Sequence, residues 1–551
     1  MRPVSEPAVS PPSSSNPSPP RKRGGAVFVA AGIFVSRIFG FVRERALSHY
    51  LGNTDASGAF RAALRIPNLL QNLLGEGVLS ASFIPVYSRL LAEGRKAEAS
   101  QVARAVATLL VLLASVITLV GVSFAPQVIG LLAPGFSGDV RALTVQLVRI
   151  LFPGTALLVL SAWCLGVLNS HRRFFLSYAS PVLWNAALIA VAIAFGAHAV
   201  GGRVGEFDLA EKLAWGAVIG SALQLLVQVP TVWALVGSLR PSLAVRSPGV
   251  QQTVRAFGPV LIGRGSVQLS AYLDQLLASF LGPAMVSAMA YAQTIYLLPV
   301  ALFGMSVSAA ELPEMSSATG SSEEVAAQLR ARLEGGLRQI LFLVIPSAVA
   351  FLTIGGVLVA ALYQSGRFHA GDTRDTWIIL AGSAIGLTAG TQGRLLSSAF
   401  YALGDTKTPL RWALVRVALS FVGGYAAALP LREHFGYSAA WGAFGLTATA
   451  GVAAWIEFVG LRRGLTRRLG KVPAPWRLAL EANVFALCAG AAAYGVSAGL
   501  DVVARTHHVG PWMRAAAVIP VFGLVYLGLA SARGIPEAGR FVRRLRRGGR
   551  R

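Results

Sequence analysis

The residues with most chemical potential in this chain are arginines placed where arginine is costly. Arg37, Arg43, Arg45, Arg61, Arg65, Arg149, Arg264, Arg394 and Arg416 all fall inside, or at the ends of, long apolar runs. A guanidinium at the centre of a membrane helix costs roughly 2.5–3.5 kcal/mol even on insertion-based scales. Each must reach the headgroups, meet a carboxylate, or face a water-filled cavity. Arg45, Arg61, Arg149 and Arg416 lie near run ends, and snorkelling accounts for them. Arg37, Arg43, Arg65, Arg264 and Arg394 lie deeper and outnumber the acids available to them, which are Glu76, Asp274 and Glu44. A surplus of guanidinium groups in a low-dielectric setting attracts anions, and guanidinium binds phosphate through two parallel hydrogen bonds. Glu76, between Gly75 and Gly77, is placed to pair with a cavity arginine. Asp274, in the middle of its run, is a candidate ion or proton site.

The elements that would position these groups follow from composition. The chain has 551 residues, 54% of them hydrophobic and only 13% charged. Its mean hydropathy is +0.60. A soluble protein carries about 25% charged residues, so both an ordinary soluble enzyme and a disordered chain are excluded. The apolar residues come in runs of about 20, enough to cross a bilayer as helix. We therefore expect an all-α polytopic membrane protein with about 14 transmembrane helices. They lie near 25–47, 60–88, 105–132, 144–169, 176–199, 212–238, 252–281, 286–309, 338–364, 376–402, 409–430, 437–461, 479–500 and 513–532.

Residues 1–24 read as a Pro/Ser-rich, basic, disordered tail, and 533–551 as a second basic tail. An even number of spans puts both ends on one side. Lys and Arg crowd the loops on that side: Arg89, Arg95, Lys96 and Arg104; Arg172 and Arg173; Arg240, Arg246 and Arg255; Arg330, Arg332 and Arg338; Lys407 and Arg411; and the run from Arg462 to Arg477. The opposite loops hold few. By the positive-inside rule both termini are cytoplasmic. The net charge of +25 is partly this bias and partly the buried arginines.

The second and eighth runs look alike. Each has a mid-helix proline (Pro67, Pro299), then glycine and small residues (Gly75 and Gly77; Gly304), then a closing Pro-x-x-Ser, Pro85–Ser88 and Pro313–Ser316. The period of roughly 230 residues suggests two six-helix lobes, 25–240 and 250–470, followed by two extra helices within 471–532. Transporters are often built from such repeats, with the substrate site between them. Pro67, Gly75, Gly77, Pro299 and Gly304 are the expected hinges. The chain has no G-x-x-x-x-G-K-[ST] and no H-E-x-x-H, and its seven histidines are scattered. His507 and His508 read as a solvated loop pair. Cys164 and Cys488 both lie in apolar runs, which argues against a disulfide framework.

Several motifs together resemble a known family. "SRIFGFVRE" (36–44), "RIPNLL…GEGVLSASFIPVYS" (65–88), "LVRILFP" (147–153), "GVLNSHRRF" (166–174), "LASFLG" (277–282), "LYQSGRF" (362–368) and "FYALGDTKTP" (400–409) are similar to the MurJ/MviN group. These are lipid II flippases of the multidrug/oligosaccharidyl-lipid/polysaccharide exporter superfamily. The resemblance implies two six-helix lobes in a V around a cationic cavity, and two last helices forming a groove for a polyprenyl tail. It implies movement of lipid-linked peptidoglycan precursor across the bacterial inner membrane by alternating access. Coupling would be to sodium or to the membrane potential, with no cofactor. Implied partners are lipid II or a similar polyprenyl-diphosphate lipid, membrane lipids and the wall-synthesis machinery, with no nucleic acid.

The family's functional residues match Arg37, Arg43, Arg65, Glu76 and Arg394. Asp274 and Asp405 resemble acids that help bind sodium in some members. The chain departs from the pattern too. Gly58 stands where many members have Asp, with Asp55 three residues earlier. Gln71 and Asn72 replace basic residues, and Gln293 and Thr294 replace an Asp-Arg pair. Arg264 is expected to supply the charge missing at Thr294. Alternatives are a flippase for another polyprenyl-diphosphate oligosaccharide, a cation or drug antiporter, which needs a net acidic cavity, and a non-transporting scaffold of wall assembly.

Overall fold

A computed structural model describes residues 24–197, 202–472, 474–504, 509–540 and 543. Residues 1–23, most of the C-terminal tail beyond residue 540, His507–His508, and the side chains of Glu76 and Arg264 lie outside the described residues. The described chain is helical, with no strand. In order the helices are α1 (Gly24–Tyr50), α2 (Asp55–Leu74), α3 (Glu76–Ala92), α4 (Lys96–Ser123), α5 (Ala125–Leu132), α6 (Gly138–Ser170) and α7 (Phe174–Ala179). There follow α8 (Pro181–Gly196), α9 (Arg203–Val236), α10 (Pro248–Phe280), α11 (Pro283–Pro299), a π-helical turn Val300–Met305, α12 (Ser306–Ser316) and α13 (Ser322–Thr353). The last are α14 (Gly355–Tyr363), α15 (Ala370–Ala402), α16 (Lys407–Ala428), α17 (Pro430–Phe435), α18 (Ala439–Leu469), α19 (Trp476–Val503) and α20 (Pro511–Ala532).

Eleven helical segments among the described residues are long and apolar enough to cross a membrane. The other long helices are α1, α10 and α15, of 27, 33 and 33 residues. They carry Arg37, Arg43, Glu44, Arg264, Asp274 and Arg394 along their length. Taken with the eleven, they are consistent with the expected number of spans. The protein is an all-α, multi-pass membrane protein.

Lipid tails are as apolar as leucine, so packing rather than hydrophobic burial holds membrane helices together. Small residues allow close approach, and α15 against α18 shows it. A Cβ on Gly386 would lie 2.4 Å from the Cα of Gly451, so the two backbones touch. Packing divides the molecule into apolar clusters. One runs through α11–α18, centred on Tyr291, Tyr363, Phe368 and Phe400. Two lie mainly in α1–α9, around Phe60 with Leu147 and around Phe83 with Tyr87. A fourth joins α19 and α20 to α13 through Phe342, Phe522 and Tyr526, whose hydroxyl donates to the Phe342 carbonyl at 2.7 Å.

The expected hinges fall at irregular backbone. Pro67 is inside α2, Gly75 is the break between α2 and α3, and Gly77 lies in the first turn of α3. Pro299 ends α11 and leads into the π-helical turn, which holds Gly304 against Thr391. Kinks arise where the i→i−4 ladder is interrupted, and both places qualify.

At the face opposite the termini, the ends of α1, α2 and α11 close on one another. Tyr291 donates to the Gly52 carbonyl at 3.1 Å, and the Ser57 and Ser287 hydroxyls lie 2.7 Å apart. The Arg367 amide donates to the His49 carbonyl at 2.9 Å. Gly58 is the tightest point: a Cβ there would sit 2.1 Å from the Pro283 carbonyl oxygen. The family's Asp has no room at this position. Asp55 instead lies at the exposed rim, 3.6 Å from Arg203. We expect Gly58→Ala to hold this seal open. In a background with Cys164 and Cys488 replaced, a cysteine at Ser287 should react faster with a membrane-impermeant maleimide when Gly58→Ala is present. Equal rates would show that α2 and α11 do not form the barrier.

Candidate functional site

Behind the seal lies a chamber of about 710 Å³. Helices from both halves of the chain line it. From α1 come Arg43 and Glu44, from α2 Arg61, Arg65 and Asn68, and from α8 Trp184. From α10 come Gln268, Asp274 and Gln275, from α11 Gln293 and Tyr296, from α15 Ser383 and Arg394, from α16 Arg416 and Ser420, and from α18 Thr447. Among the described residues, five arginines and two acids face one space.

Glu44 is buried and bridges two of the arginines. It accepts from Arg43 Nη2 at 2.6 Å and from Arg61 Nη2 at 2.9 Å. Arg43 also donates to Asn185 Oδ1 at 2.9 Å and lies over the Trp184 ring, 5.1 Å from its centroid. Arg61 stacks on Tyr291 at 4.0 Å, which ties this cluster to the seal. On the other wall, Arg416 donates to Glu457 Oε2 at 3.0 Å. Two guanidiniums keep most of their hydrogen-bonding capacity. Arg65 donates to the Ala271 carbonyl at 2.7 Å and makes no ion pair, and the Arg394 side chain has neither hydrogen bond nor ion pair among the described residues. A guanidinium carries five N–H donors, so these two can receive an anion without first releasing a carboxylate.

The chamber thus brings together Arg43, Arg65, Asp274 and Arg394 of the residues singled out in the sequence. It does not take in Arg37, which is exposed on α1. The cause is helical geometry: six residues separate Arg37 from Arg43, about 120° around the axis, so one face cannot present both. Arg61 and Arg416, expected to snorkel, line the chamber instead. Arg61 could have been found from its spacing, since it precedes Arg65 by four residues and shares its face. Arg45 does not reach for headgroups either; it donates to the Leu362 carbonyl at 2.8 Å at the end of α14. Arg149 is exposed, as snorkelling requires. Glu457 carried no sequence signal beyond being an acid in an apolar helix.

Asp274 and Asp405 do not meet. Asp405 lies in the loop before α16 and caps it, accepting from the Lys407 and Thr408 amides at 2.9 and 3.0 Å and from the Thr408 hydroxyl at 2.7 Å. Arg468 pairs with it at 2.5 Å. The bonds from Thr408, with help from Arg468, hold its carboxyl below the usual aspartate range. No group of three His, Cys, Asp or Glu able to hold a metal ion occurs among the described residues.

A multi-pass helical bundle that walls off a cationic chamber and closes it at one face is the build of a membrane transporter. Solved structures share this fold. A lipid II flippase MurJ in an inward-closed conformation superposes with a TM-score of 0.73 at 21% identity, over 92% of this chain and 98% of that one. An inward-facing multidrug transporter of the MATE family, in the MOP superfamily, gives 0.60 at 18% identity, over 82% and 100%. In sequence, the family model described as "Lipid II flippase MurJ" matches residues 47–506. The lipid II flippase MurJ of Burkholderia cenocepacia is 31% identical over 81% of this chain and 84% of its own length. The probable lipid II flippase MurJ of Rhizobium tropici is 30% identical over 82% of each. This chain belongs to the MurJ lipid II flippase family, a family of transporters rather than enzymes.

Proposed function

We propose that this chain carries lipid II, the lipid-linked peptidoglycan precursor, from the inner to the outer leaflet of the bacterial inner membrane. The observation that carries this reading is the pair Arg65, half-buried, and Arg394, exposed to the chamber, two guanidiniums with free donors on two walls of one space. They would take the diphosphate, and low-dielectric walls would strengthen the attraction. The chamber's volume falls within the range of small-molecule sites, which suits a polar headgroup while the polyprenyl tail stays in lipid. Arg43 and Arg416, already paired, would steady neighbouring anionic groups.

Both termini are cytoplasmic on this reading, so the sealed face is the outer one. The lobes 25–240 and 250–470 would rock about the breaks at Gly75 and at Pro299–Met305, opening the seal as the other face closes. The helices α19 and α20, with α13, would guide the tail. The membrane potential acting on the net positive chamber would supply the drive. The experiment is complementation: expression in a strain depleted of its lipid II flippase should restore growth and expose lipid II on the outer leaflet. Absence of rescue with full-length protein in the membrane would overturn the assignment.

A further inference from the structure

The resemblance to sodium-binding relatives meets a chemical obstacle in the chamber wall. Asp274 on α10 and Arg416 on α16 face the same space, and these two helices pack together. Arg416 is held from the other side by Glu457 on α18 at 3.0 Å. Asp274 thus lies within electrostatic reach of two fixed cations, Arg65 and Arg416, while no donor is hydrogen-bonded to it among the described residues. A metal ion arriving at Asp274 would be repelled by both guanidiniums. The other acid that could help, Asp405, is committed to capping α16 and to Arg468.

We propose that Arg416 is the chamber's resident cation. Its guanidinium, tethered to α16 and paired with Glu457, faces the same space as Asp274 and puts there the positive charge that a free sodium ion would bring, so the chain binds no sodium there. One N–H of Arg416 is used on Glu457, and the others remain for Asp274 or for an entering anion. This deepens the reading above by fixing which cation balances the acids. Its test reads binding rather than transport, so it can fail while the lipid II assignment stands.

The purified protein in detergent is melted in sodium, potassium and choline chloride at equal ionic strength. We expect the same melting temperature in all three. Arg416→Gln leaves Asp274 and Glu457 facing an unfilled space, and should gain a sodium-dependent rise of a few degrees that Asp274→Asn removes. Arg416→Lys, which keeps the charge, should remain insensitive to sodium. A sodium-specific rise in the unmodified protein, abolished by Asp274→Asn, would overturn the proposal. So would an Arg416→Gln protein that folds and stays indifferent to sodium. Should Arg416→Gln not fold, 23Na line broadening on the unmodified protein decides. Broadening that Asp274→Asn abolishes refutes the proposal, and its absence supports it.

Discussion

Arg394→Ala is expected to abolish rescue of a flippase-depleted strain while the protein accumulates in the membrane at its normal level. The two halves of that result have separate physical grounds. A charge-assisted hydrogen bond is worth about 1.5–3 kcal/mol. Losing a bidentate grip on a diphosphate should therefore lower transport by roughly 10- to 100-fold, since each 1.4 kcal/mol is tenfold. Stability should hardly suffer. Removing one member of a buried ion pair strands its partner, but Arg394 has no partner to strand. Arg65→Ala should behave alike, because among the described residues the only bond lost is to the Ala271 carbonyl. Lysine at either position should restore part of the activity, since it keeps the charge but not the planar fork. The measurements are growth on depletion and membrane protein level by immunoblot. Full rescue by both alanine variants would remove these residues from the site.

Glu44→Ala should do the opposite: it should damage the fold first. Glu44 is 6% exposed and, among the described residues, the only carboxylate bonded to Arg43 and Arg61. Its loss leaves two guanidiniums in the interior without a counter-charge. Breaking a buried pair costs about 3–5 kcal/mol. Thermal unfolding in detergent should show a drop of several degrees. Glu44→Gln keeps an acceptor and should lose less. Adding Arg61→Ala to Glu44→Ala should recover part of the loss, because one stranded charge goes with it. Melting of Glu44→Ala at the unmodified temperature would mean that water, not Glu44, satisfies these arginines.

The same contrast explains what could be read from the sequence. Membrane-length apolar runs follow directly from composition, and the helices lie close to where hydropathy puts them. The polar helices α1, α10 and α15 were recognisable as spans because charges interrupt them without ending them. Which charges share a chamber is a question of azimuth and depth, and a linear reading handles these unevenly. Distance to the run ends misplaces Arg61, because α2 begins at Asp55, ahead of its apolar run; it misplaces Arg416 too, although α16 nearly coincides with its run. Azimuth was ignored for Arg37, which faces away from Arg43. The partners of Arg416 and Arg45 are set by tertiary contacts between distant segments, Glu457 on α18 and the end of α14, and no local pattern announces them. Gly58 shows the reverse case. As a sequence it was a missing acid; in the fold it is the contact point with Pro283, and the absent side chain is what lets α2 and α11 meet.

The contact of Gly386 with Gly451 bears on how force passes through the molecule. Where two helices touch main chain to main chain, no side chain remains to swing aside and absorb a displacement. α15 and α18 are in this respect a single plate, and Arg394 and Glu457 are riveted to it. As long as Glu457 holds Arg416, these charges keep their mutual spacing through any rocking motion. The cargo would therefore be carried by a rigid cationic panel, with the deformation taken up elsewhere, at the kinked helices on either side of it.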